Sequence, residues 1–373
     1  MANIEDYLDW RGDLTFAQDP FNEVDNLILA QLTYTDFDGA VPEPGADSVP
    51  LRDVYQRYFQ LHARAEILAR TNFTRLAPFL MDRLIQSARF ADLRFSDYVN
   101  HISQATESQM AAVTYELSDG TKYVAFRGTD DTIVGWKEDF NLSFQNQTEG
   151  QRQAIAYLAR IAARDQSPLR VGGHSKGGNF AVYAAAFSSE QIQDRILEIY
   201  SNDAPGFREE ITRQEGYQRI IPKIKGFIPQ DSVIGLLLTH RTRPTIIRSK
   251  GIGIMQHDAF NWEVMGRRFI HETRITDTSE FIEETLRGWL DSIGDSQRES
   301  FVNSLFQLLE ASGARTLNEM GKDKINVLAE MFRTMNEMPE NKQHEFFSSI
   351  GKLFQSAKQT MLQKKGSDPM NKV

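Results

Sequence analysis

The chain has 373 residues, of which 40% are hydrophobic and 25% charged, an ordinary globular composition that suits one large α/β domain with appendages, or two or three domains. A formal net charge of −9 argues against nonspecific nucleic-acid binding, because phosphates would repel the average surface. The absence of cysteine removes disulfides, thiolate metal sites and cysteine nucleophiles together, leaving oxygen and nitrogen nucleophiles.

The start, MANIEDYLDWRGD, is acidic and lacks the basic residues and apolar run of a secretory signal. No stretch approaches the ~20 apolar residues of a membrane-spanning helix, VIGLLL being far too short, so a cytoplasmic protein without a transmembrane segment is expected. Residues 1 to about 105 read as mostly helical, with apolar residues at helical spacing in FNEVDNLILAQLTY and LRDVYQRYFQLHARAEIL, separated by the loop composition of DGAVPEPGADSVP. AAVTYEL and KYVAFRG, joined through Asp119-Gly120, read as a β-hairpin. Helix-like EGQRQAIAYLARIAAR, strand-like LRVGGH, helix-like GGNFAVYAAAFSS and the β-rich runs RILEIYSN, KIKGFIP and PTIIRS follow. This alternation implies a largely parallel sheet covered on both faces, from about Ala111 to Ser249.

From about Glu272 the pattern is helical throughout. Phe281, Ile282, Leu286, Trp289, Leu290 and Ile293 fall on one helix face; a second stripe holds Ile325, Leu328, Met331, Phe332 and Met335; a third runs from Phe346 to Ala357. The final QKKGSDPMNKV reads as a frayed tail. The expected division is a core unit over 1–271, helical to 105 and sheet-bearing over 106–271, followed by a helical region over 272–373. The C-terminal stripes would pack onto the core or against a second copy in a homodimer; their many acids argue against membrane-surface attachment.

The chemistry concentrates in LRVGGHSKGGNF. G-x-S-x-G alone is a weak signal, but here a strand runs into it and a helix leaves it, the order that pushes a serine Oγ out over the sheet edge. Ser175 is therefore the candidate nucleophile. Gly173 and Gly177 flank it where a side chain would collide with neighbouring backbone. A base and an acid should follow in the order acid, then histidine. Of the downstream histidines, His257 lies in a glycine-bearing loop just beyond the last β-like run, whereas His240, His271 and His344 are read as surface or packing residues. Asp231, after KIKGFIPQ, is the favoured acid; Asp203, in YSNDAPGF after the preceding strand, is the alternative. Oxyanion donors are expected from the Lys176 amide and from Thr129, in the loop after VAFRG.

VAFRGT with Trp136 and Asp139, GHSKGG, IPQDSV and a late His257 together resemble the lipase class 3 branch of α/β-hydrolases. The similarity is closer still to an uncharacterised bacterial family of that branch carrying the same GHSKGGN elbow, and it covers roughly Asn22 to Arg268. The resemblance implies an α/β-hydrolase fold with a mainly parallel central sheet, a helical N-terminal region and a helical C-terminal appendage. It implies Ser175, Asp231 and His257 as triad, Thr129 and Lys176 as oxyanion donors, and Asp139 as the group holding the Thr129 side chain. Two departures stand out. Lys176 replaces the apolar residue that follows the nucleophile in the lipases, either as a solvated helix-start lysine paired to a nearby acid or as an attractor of an anionic substrate. The segment DDTIVGWKEDFNLSF is shorter and more acidic than a lipase lid, so interfacial activation on oil droplets is not expected.

The sequence therefore implies a serine esterase or lipase-like acyl hydrolase acting on a small-molecule or lipid ester through an acyl-enzyme, with no cofactor or metal. The other readings are a noncatalytic binding or assembly module on the same fold, and an acyltransferase using the same triad.

Overall fold

A computed structural model describes residues 2–130, 132–311, 313 and 324–367. Its centre is an eight-stranded sheet in sequential order, β1 (Val49–Pro50), β2 (Arg94–Ser103), β3 (Ser108–Glu116), β4 (Lys122–Phe126), β5 (Leu169–His174), β6 (Ile196–Asn202), β7 (Ile224–Pro229) and β8 (Thr245–Ile247). The first four strands pair antiparallel and β4 to β8 pair parallel. The β3–β4 hairpin closes where expected: Gly120 adopts φ 78° and the Asp119 side chain accepts from the Thr121 amide at 3.0 Å, the local bonding that makes Asp-Gly a turn former.

Alternate strand residues face two cores, as the period of two demands. Val113, Tyr115, Tyr123 and Tyr200 face helices α1 to α5 (Ile4–Arg11, Glu23–Leu32, Leu51–Leu61, Arg64–Ala69, Leu80–Leu84). Ala112, Val124, Phe126 and Val171 face the opposite layer. In that second layer, α7 (Glu149–Arg164) opens on a Thr148/Gln151 capping box. It lies beside α8 (Lys176–Ala186), whose alanines let it sit fully buried on the sheet. Between β4 and α7 runs the short helix α6 (Ile133–Asn141).

One expectation fails here. The segment before residue 105 is not helical to its end: β1 and β2 extend the sheet well before Ala111. The register of β2 against β3 slips between Ser96 and Val99, and Asp97 takes φ 58°. That bulge interrupts the apolar alternation by which a strand is recognised.

Three short helices, α9 to α11 (Glu190–Arg195, Glu209–Thr212, Glu215–Ile220), connect β6 and β7 to the second layer. The C-terminal region forms α12 (Asp277–Ser292), α13 (Asp295–Ala311), α14 (Lys324–Glu337) and α15 (Glu340–Ser367). α12 lies along α15, while α13 touches α15, α14 and α6. Ile133, Trp136 and Phe140 of α6 meet Val302, Leu305 and Phe306 of α13 in a separate apolar cluster. Phe346 is buried in the α15 contact, whereas Phe347 and Phe354 of the same stripe stand exposed. The expected frayed tail is helical to Ser367; its residues 368–373 lie outside the described residues, as does the Ile325 side chain. Among the described residues no helix is long and apolar enough to cross a membrane. A sheet of parallel β4–β8 strands, covered on both faces and carrying a strand–turn–helix elbow, is an α/β-hydrolase fold.

Candidate active site

Ser175 occupies the turn between β5 and α8 with φ 57° and ψ −135°, a conformation that L-residues avoid and that persists only where surroundings over-determine it. Those surroundings are specific. The Ser175 amide donates to Asn202 O at 2.9 Å. A Cβ on Gly177 would stand 2.1 Å from Phe126 O, and one on Gly173 would stand 2.3 Å from the Gly177 carbonyl carbon. Both glycines are thus required by close backbone approach. Gly128 makes the same approach from the β4 side, its notional Cβ 2.5 Å from His174 O and 2.9 Å from Ser175 Cβ, which brings the following Thr129 up to the elbow.

The imidazole of His257 enters from the loop after β8. Its Nδ1 lies 2.6 Å from Asp203 Oδ2, and Asp203 is almost fully buried at the carboxyl end of β6. The other carboxylate oxygen, Oδ1, accepts from the Ser232 hydroxyl at 2.5 Å and the Gly235 amide at 3.1 Å. Asp203 is therefore held at both oxygens. The favoured acid, Asp231, is elsewhere: it accepts from the Gly253 amide at 3.1 Å and from the Thr276 hydroxyl. The correction has a physical cause. β6 and β7 are parallel neighbours, so both aspartates emerge at one sheet edge, and the choice depends on which one the distant loop of His257 reaches. Asp231 instead clasps the loop carrying His257 to the N-cap of α12, and its own amide donates to Gln256 Oε1 at 2.9 Å.

His174, one residue before the candidate nucleophile, was not singled out by the sequence. Its Nε2 faces His257 O at 2.8 Å and so carries the proton, leaving Nδ1 to accept from the Tyr34 hydroxyl at 3.0 Å. Burial holds its pKa well below the usual histidine range, so it stays a neutral strut against His257. Only its place inside the quoted GHSKGG motif hinted at a role. The Asn179 side chain, last of GHSKGGN, donates to Gly206 O at 2.9 Å and Pro205 O at 3.2 Å, tying α8 to the loop after Asp203.

On the other side of Ser175, the Thr129 hydroxyl donates to Asp139 Oδ2 at 2.5 Å. Burial pushes the Asp139 carboxyl up to about 6, against the opposing pull of Lys176 and the Thr129 hydrogen bond. Neither expectation for the Lys176 side chain survives intact. It is paired to an acid, Glu138 at 3.0 Å, but both side chains are completely buried rather than solvated. Glu138 also accepts the Gly150 and Gln109 amides at 2.8 and 2.9 Å. The pair welds α6 to α8 and leaves Lys176 no free charge for an anionic substrate.

Ser175, His257, Thr129 and Asp139 line one cavity of about 370 Å³, within the usual range for ligand sites. A family profile described as Mbeg1-like matches residues 84–307, more than half of the chain. The chain belongs to the Mbeg1-like family. This family is lipase class 3-like. Among solved structures, an M37 lipase is similar at 14% identity with a TM-score of 0.33, the match covering 43% of this chain and 62% of the lipase chain. No curated protein matches.

The segment matched in this Mbeg1-like chain contains α12 and most of α13, and these helices wall the cavity. Leu286, Trp289 and Leu290 of α12 and Phe301 and Val302 of α13 face it, together with Trp136 and Phe140 of α6. The C-terminal helices read from sequence as an appendage thus wall the cavity that holds Ser175. Trp289 is anchored in turn by its Nε1–H to Ser349 O on α15 at 2.8 Å. His240, His271 and His344 are not among the residues lining the cavity.

Proposed function

We propose that this Mbeg1-like protein is a serine hydrolase of carboxylic esters, with Ser175 as nucleophile, His257 as base and Asp203 as the orienting acid. The carrying observation is the His257 Nδ1 to Asp203 pair, with His257 and a serine held at positive φ both lining one apolar cavity. With Nδ1–H fixed on Asp203, His257 Nε2 is the free base. It takes the Ser175 proton as Oγ attacks the ester carbonyl. The negative charge on the tetrahedral oxygen falls to the amide of Lys176, unpaired at the first turn of α8 as helix N-terminal amides are, and to Thr129, whose hydroxyl Asp139 anchors. His257 then protonates the departing alcohol, water adds to the acyl-enzyme by the same base, and the acid is released. The acyl group lies against the apolar walls from α6, α12 and α13, so residues 277–311 are part of the hydrolase unit in this reading.

The test is reaction with a fluorophosphonate probe, with the adduct located by mass spectrometry. Labelling at Ser175, abolished in Ser175→Ala and slowed in His257→Ala, is the expected result. Folded protein that neither labels nor turns over any ester would overturn the proposal.

A further inference from the structure

The chamber holding Ser175 has a neighbouring space. A second, more open cleft of about 450 Å³ shares six lining residues with it: Ser143, Leu237, Leu238, Leu286, Leu290 and Arg298. These six residues border both spaces, a boundary we call the neck, and specific bonds hold it in place. Leu238 takes φ 65°, a left-handed conformation unusual for a bulky side chain. Its segment is held there by Gly206 N–H to Leu237 O at 2.7 Å and by reciprocal 2.9 Å hydrogen bonds between Phe207 and Thr239. A Cβ on Gly206 would stand 2.4 Å from Thr239 O, so this segment rides directly on the loop that follows Asp203. Across the neck, the Arg298 guanidinium donates to Ser143 O at 2.7 Å and to Leu290 O at 2.6 Å, stapling α12 to the segment after α6.

The two spaces differ in chemistry. The inner chamber is walled by tryptophan, phenylalanine and leucine around Ser175. The outer cleft is charged, and each of its guanidinium groups is in an ion pair: Arg208 with Asp295 at 2.7 Å, Arg287 with Glu283, and Arg298 with Asp295 at 3.4 Å. Carboxylates lining the cleft outnumber guanidiniums five to three. An acyl chain would not replace water around such charges, since burying them without partners is unfavourable. A polar group would lie there readily, and a polyanion would meet a net negative surface.

We infer that the substrate is an elongated amphiphilic ester: its acyl chain and carbonyl occupy the inner chamber, and a polar, non-polyanionic alcohol portion passes the neck into the outer cleft. This rests on Ser175 being the reactive centre, and the experiment separates the two. Hydrolysis by the full chain is measured on p-nitrophenyl butyrate, on 1-lauroyl-glycero-3-phosphocholine and on lauroyl-coenzyme A, for the wild type, Leu290→Trp in the neck and Asp291→Arg in the cleft. The phosphocholine ester is expected to be favoured over the coenzyme A ester by about tenfold or more in kcat/KM. Leu290→Trp should lower the ratio of phosphocholine ester to butyrate by about tenfold, and Asp291→Arg should narrow the preference against the coenzyme A ester. Equal use of the two lauroyl substrates, or ratios that stay within about twofold in both variants, would overturn the inference while leaving the hydrolase intact. Failure of every ester together with no fluorophosphonate labelling would overturn the hydrolase reading and this inference with it.

Discussion

Replacing Asp203 by asparagine is the sharpest probe of the site, because the structure dictates how the new amide must sit. Oδ1 of Asp203 is fixed by two donors, the Ser232 hydroxyl and the Gly235 amide. An asparagine keeps those bonds only with its oxygen at that position, which turns its NH2 group towards His257 Nδ1. The imidazole must then accept at Nδ1 and carry its proton on Nε2, the tautomer that cannot take a proton from serine. The same substitution in the serine protease triad lowers turnover by about 10⁴, close to 5.5 kcal/mol of transition-state stabilisation. A loss of about that size is expected in fluorophosphonate labelling rate and in kcat on p-nitrophenyl butyrate, with little change in thermal midpoint. Asp231→Asn leaves the proposed triad whole but gives up one of its two acceptor contacts, to Gly253 or Thr276. It should cost about 1–2 kcal/mol of stability and no more than about tenfold in kcat. The opposite pattern, a loss near 10⁴ for Asp231→Asn and a mild effect for Asp203→Asn, would refute the assignment of the acid.

Two further predictions concern the buried charges beside the elbow. Lys176→Met strands Glu138 without its cation in a dry interior, so unfolding by urea should show a loss of about 3–5 kcal/mol, partly recovered by Glu138→Gln in the same chain. Asp139 holds its proton more tightly folded, at about 6, than unfolded, near the ordinary 3.8. The folded state therefore binds more protons between these values, and the contribution of Asp139 to stability declines as pH rises from about 4 to 6 and is flat above. Asp139→Asn still accepts from Thr129 and lacks this decline. Relative to the wild type it should gain on the order of 2 kcal/mol between pH 4 and pH 7, read from urea titrations at both; an unchanged difference would show the carboxyl to be ordinary.

Much of this arrangement was legible along the chain, where local signals and tertiary structure agree. LRVGGH, the Asp119-Gly120 hairpin and the helix of Glu149–Arg164 emerge where their residues place them, and Ser175 and His257 face a common cavity. What was hidden depended on partners distant in sequence. β2 was masked by its own bulge at Asp97. Which aspartate pairs with His257 depended on the path of a loop some fifty residues beyond Asp203. Lys176 looked solvated because a helix start usually is, yet α6 folds over it with Glu138. The wall supplied by α12 and α13 could not be read from apolar stripes, which announce that a helix packs but not against what.

Ser175 at φ 57° and Asp203 at φ 46° share a property that neither catalysis nor packing explains alone. Both occupy backbone conformations in which glycine would relieve on the order of 1–3 kcal/mol of strain. A lineage that used this scaffold only as a platform would be free to drift to glycine at either position and would become more robust by doing so. A serine and an aspartate at two of the positions where the backbone disfavours a side chain, the aspartate bonded to His257, are what a reaction would require and a platform would not.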